Sequence, residues 1–112
     1  MEEFITFLGG KIEEGKAETA ALLADGRKDD AFFSKVRTNI YDVCRTVSLA
    51  LINRPGAGTD GIRKQLERFR TEWSAALEKA RQHENISGIA VEETKLAALE
   101  DIIRHFQEAA EA

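Results

Sequence analysis

Apolar residues recur at alternating steps of three and four along four stretches of this chain, and Gly26, Pro55 and the Ser87–Gly88 pair separate the stretches. A period of that kind puts an apolar stripe on one side of a helix, and the stripe has to be buried against another element. The first stretch, about 2–25, carries Phe4, Leu8, Ile12, Thr19, Leu22 and Leu23. Gly26 follows it and can take the left-handed conformation that ends a helix. The second, about 30–53, repeats Phe33, Val36, Ile40, Val43, Val47 and Leu51, and is the most apolar, so it is expected at the centre of the core. Asp29 or Asp30 is predicted to cap its first turn, and Pro55 forbids its continuation.

The third stretch, about 60–84, places Ile62, Leu66, Phe69, Trp73, Ala76, Leu77 and Ala80 at near-heptad spacing behind a Thr59 or Asp60 cap. Asn85 and Ser87–Gly88 read as its stop and a turn. The fourth, about 91–110, carries Leu96, Leu99, Ile103 and Phe106, with a start between Ile89 and Glu92. Four helices of this length joined by connections of a few residues predict an all-α, four-helix up-and-down antiparallel bundle, one domain over 1–112. The chain has 112 residues, of which 43% are hydrophobic, enough for a single core. Val43, Arg45, Val47, Leu49 and Leu51 alternate locally as a strand would, but the longer helical period around them overrides this. Gly9–Gly10 and Gly15 stand out, because each glycine inside a helix costs ~1 kcal/mol against alanine. They predict a bend or a close approach of another backbone.

Charged residues make up 32% of the chain with mixed signs and a net charge of -4, which suits a globular surface rather than a disordered tail. The opening MEEFITFLGG has acids where a secretory signal needs bases, and no apolar run approaches the ~18 residues that span a bilayer. The expected setting is therefore cytoplasmic, with no membrane partner. Cys44 is the only cysteine, which leaves no intramolecular disulfide and no cysteine-based zinc framework.

Gly56-Ala-Gly58-Thr-Asp-Gly61 matches the G-x-G-x-x-G of dinucleotide-binding turns letter for letter. That fingerprint requires a strand before it and a βαβ unit around it, whereas helices are predicted on both sides, so the glycines read as a flexible loop and no cofactor is expected. A di-metal bundle needs Glu-x-x-His pairs, and the chain has none. His83 and His105 read as solvated helix surface, and no metal site is expected. Nucleophilic catalysis needs a serine or cysteine beside an oriented base. Cys44 lies at the edge of an apolar stripe, and Ser34, Ser48, Ser74 and Ser87 sit in no elbow-like turn, so the expectation is that the protein is not an enzyme.

Charge is unevenly spread. Residues 1–25 and 86–112 each hold two bases and six acids, -4, whereas 26–54 and 55–85 are basic by +3 and +1. The acidic outer helices are expected to lie beside the basic middle pair. Acids and bases four apart on the third helix (Asp60 and Lys64, Arg63 and Glu67, Arg68 and Glu72) are expected to pair.

Aromatic residues carry the functional expectation. Phe33, Phe69, Trp73 and Phe106 are assigned to the core, with Trp73 expected to find an acceptor for its indole N–H. Phe4, Phe7 and Phe32 exceed what one small bundle can cover and are assigned to an interface with a protein partner or with a second copy as a homodimer. The leading expectation is thus a protein–protein interaction or self-association module. The alternative is a small nucleic-acid-associated or regulatory factor using a basic patch of Lys35, Arg37, Arg45, Arg63, Lys64, Arg68 and Arg70, although the overall charge is far from that of a dedicated nucleic-acid domain.

Overall fold

The computed structural model describes residues 1–111 as four helices, α1 (Glu2–Ala24), α2 (Lys28–Ile52), α3 (Gly58–Gln82) and α4 (Ile86–Glu111). Three starts differ from the sequence reading, each for a local reason. Asp30 does not cap α2, because its carboxylate takes the Arg27 guanidinium at 2.7 Å, and the helix begins with the Ala31 N–H donating to the Arg27 carbonyl. Asp60 likewise accepts Arg63 at 3.4 Å and Lys64 at 3.2 Å, leaving α3 to start from Ala57 without a side-chain cap. The start of α4 lies earlier than Ile89, since Asn85 Oδ1 accepts the Gly88 N–H at 3.0 Å and pulls Ser87 and Gly88 into the first turn. Asn85 is a cap rather than a stop.

The turns at the other helix ends are tight. Behind α1, the Arg27 N–H donates to the Leu22 carbonyl and Gly26 N–H to Leu23, with Gly26 at φ 75°. The end of α3 repeats this geometry, Asn85 N–H to Ala80 and Glu84 N–H to Arg81, but with Glu84 in the left-handed position at φ 53°. Such short turns fold α1 back on α2 and α3 back on α4. Side-chain neighbours run in opposite order along each pair: Thr19 beside Ser34 and Glu18 beside Arg37, Arg70 beside Glu100 and Lys95 over Trp73. The two hairpins meet through α2 and α4, each of which touches all three other helices, while α1 and α3 do not meet among the described residues.

The core is built from Phe4, Leu8 and Ile12 of α1, Ile40, Tyr41 and Cys44 of α2, Ile62 and Leu66 of α3, and Leu99, Ile102, Ile103 and Phe106 of α4. Phe4 meets Phe106 edge to face at 5.3 Å. Of the α2 stripe read from the sequence, Ile40 is buried, together with Ala31, Ser34, Tyr41, Cys44 and Ser48, whereas Phe33, Val36, Val43, Val47 and Leu51 are half-buried. Small side chains let α1 come close. A Cβ at Gly15 would overlap the Thr38 side chain, so the close neighbour there is a side chain and not the backbone expected from the glycines; at Gly10 there is open space, and α1 runs unbroken through both.

Candidate functional site

Three aromatic residues were assigned to a surface, and they occupy three environments. Phe4 is 1% exposed and belongs to the core, which removes it from any interface. Phe7 is half-buried, stacked on His105 of α4 at 3.7 Å and edge-on to Tyr41 at 6.1 Å, with Lys11 above it. His105 is therefore no solvated surface residue. Phe32 alone of the three stands out, at 52% exposed.

Around Phe7 the helices are tied by polar contacts. Tyr41 Oη donates to Asp101 Oδ2 at 2.6 Å, and Arg104 donates to the other carboxylate oxygen. Burial, reinforced by that carboxylate, pushes the Tyr41 phenol well above its ordinary range. On the same side of the α1–α2 hairpin, Glu18 accepts Arg37 at 2.8 Å, and bonds from Ser34 and Arg37 hold its carboxyl below the usual range. Every strong group there has a partner within the chain.

The opposite side of the hairpin differs. A groove of about 810 Å³ runs between α1 and α2, lined by Ile12, Ala20, Leu23, Phe32 and Val36 together with Lys16, Lys35, Asn39 and Asp42. Leu23, at 56% exposed, faces Phe32 across it, next to the tight turn that closes the hairpin. The buried residues of α1 end at Ile12, which is why the tip offers its apolar side chains to solvent. The sequence reading missed Leu23, because its place in the three-and-four stripe marks it as core.

Four of the seven bases have acidic partners within the chain. Arg37 pairs with Glu18, Arg63 and Lys64 with Asp60, and Arg70 with Glu67 and Glu100. The Arg70–Glu100 bond is two-pronged, at 2.8 and 2.9 Å, and raises the already high Arg70 pKa. Of the three expected pairs on α3, Asp60–Lys64 forms, whereas Arg63 turns back to Asp60 and Glu67 takes Arg70. Arg45 crosses near Gly9, while Lys35 projects from the groove side of α2. Phe69 and Trp73 stack at 4.8 Å at a half-buried position under Lys95, and the Trp73 indole N–H has no acceptor among the described residues.

The loop expected over Gly56–Gly61 is shorter than the motif, because α3 takes in Gly58 and Gly61 and leaves only Gly56 and Ala57 before it; Gly56 and Gly58 are at φ 81° and 52°, and no strand lies among the described residues. Burial pushes the Cys44 thiol up to about 12, which keeps it protonated and unreactive at neutral pH. No helix is long and apolar enough to cross a membrane. Comparison of the chain with family models, with characterised proteins and with solved structures finds no match, so its functional reading rests on these residues alone.

Proposed function

We propose that this chain is a protein-interaction module whose working surface is the groove on the outer side of the α1–α2 hairpin. The observation that carries the reading is that Leu23 and Phe32, each more than half exposed, both line one groove whose lining is mainly apolar. Single exposed apolar residues are ordinary on protein surfaces, but two large ones that converge on one concavity match the anchor pockets of binding interfaces. A cytoplasmic setting fits a lone thiol that stays reduced. The nucleic-acid alternative has less support, because four of the seven bases it needs are neutralised by acids of the same chain.

A photo-crosslinking side chain in place of Phe32 tests the reading in cells. Discrete covalent adducts are expected from position 32 and not from Ala17, an exposed alanine on α1 outside the groove lining. Absence of any discrete adduct from position 32 would overturn it.

A further inference from the structure

Building on the protein-binding reading of this face, we infer that the groove's partner is a second copy of the chain, packed antiparallel across a two-fold axis at the level of Asn39. Phe32, Lys35, Asn39, Asp42 and Thr46 are all exposed and follow one another at steps of three and four, so they form a straight strip along the outer side of α2. Lys35 and Asp42 are the charged members of this strip. Neither has an ion-pair partner among the described residues. They cannot reach each other, because seven residues of helix separate them by ~10 Å.

A two-fold axis removes that separation. In an interface of this symmetry, residue i meets residue j and residue j meets residue i. Reversing α2 about its midpoint near Asn39 brings Lys35 of each copy to Asp42 of the other, forming two equivalent ion pairs. The strip is thus basic toward the tip and acidic away from it, the arrangement that self-pairs when antiparallel and repels when parallel. The same reversal sets Phe32 opposite Thr46, an exposed and smaller side chain that leaves room for the ring. Small hairpin faces of this kind sit at the low end of stable interface size, so assembly is concentration-dependent.

Sedimentation of the purified full chain over a wide concentration series tests this. A monomer–dimer equilibrium is expected for the wild type. Lys35→Glu and Asp42→Lys should each weaken it by about tenfold or more, because every substitution acts at both pairs of the dimer. Mixed in equal amounts, the two variants should form a heterodimer, since all four charges are then complementary. Phe32→Asp should be monomeric while keeping its helical circular dichroism. A wild type that stays monomeric throughout, or charge variants that dimerise like the wild type and gain nothing on mixing, would overturn the inference. Crosslinks from position 32 to a different polypeptide would then leave the protein-binding reading standing, whereas no adducts of any kind would remove both.

Discussion

Tyr41 and Asp101 lie sixty residues apart in the chain, and the tyrosine hydroxyl donates to the aspartate carboxylate at 2.6 Å. This bond joins α2 to α4, the two helices at the middle of the bundle, and the Tyr41 ring also meets Phe7 of α1. One side chain thus ties three helices. Hydrogen bonds to charged groups contribute ~1.5–3 kcal/mol when partly buried. Tyr41→Phe keeps the ring contacts and should lower the unfolding free energy by about 1.5 kcal/mol or more, read from urea titration. An unchanged midpoint would show that the bond contributes nothing net.

The glycines of α1 should respond in opposite directions to alanine. Gly10 has open space where a Cβ would go, so Gly10→Ala should stabilise by about 0.5–1 kcal/mol through helix propensity. At Gly15 the new methyl would overlap Thr38, whose hydroxyl is held on the Ser34 carbonyl at 2.8 Å, and Gly15→Ala should destabilise despite the same propensity gain. Thermal melts of the two variants should move to either side of the wild type.

Glu84 occupies the left-handed position that Gly26 fills at the equivalent turn. A side chain there costs roughly 1–2 kcal/mol against glycine, so Glu84→Gly should raise stability by about 1 kcal/mol. A melting temperature at or below that of the wild type would contradict this.

Burial of the Cys44 thiol carries a sign in pH. Its folded pKa, about 12, lies above the ordinary thiol value of ~8.5, so the unfolded chain loses the proton first as pH rises. The stability contributed by the neutral thiol is complete below that ordinary value and is lost between it and the folded value. Tyr41, shifted upward as well, adds to the loss at higher pH. Chemical denaturation should show a falling midpoint above pH ~9, less steep in Cys44→Ala. A thiol reagent at neutral pH should label the native protein far more slowly than the unfolded one.

Two phenylalanines of similar sequence context should differ sharply in their weight. Phe4→Ala removes a ring buried against Phe106 and should cost about 3–4 kcal/mol. Phe32→Ala, with half its surface already exposed, should change stability by about 0.5 kcal/mol or less under conditions where the chain is monomeric. Equal losses would place Phe32 in the core.

The period of apolar residues announced four helices and their approximate ends, because helix faces repeat every three to four positions regardless of what they pack against. Caps were less legible. Asp30 and Asp60 have the chemistry to cap, but nearby guanidinium and ammonium groups claim their carboxylates. Cys44 was legible at the edge of the α2 stripe, but Ser34 and Ser48 were not legible as part of the α2 interface, since small polar side chains give little hydrophobic signal and their value lies in how near they let another helix come. Leu23 was read as core and Phe32 as surface on the same kind of evidence, and no periodicity could tell that both would meet on one groove.

The sequence by itself determined that this chain forms helices, how many, and that each hides one side from water, because those properties follow from local backbone preference and side-chain spacing. Only the tertiary structure decided which helices touch, and therefore that α2 and α4 each contact all the others, that Phe4 is enclosed and Phe7 half-buried while Phe32 is exposed, and that most of the basic residues find acids within the chain. The physical reason is that a helix face has neighbours on several sides, and burial depends on where those neighbours stop. Helix α1 loses its buried positions after Ile12, and Leu23 beyond that point stays more than half exposed.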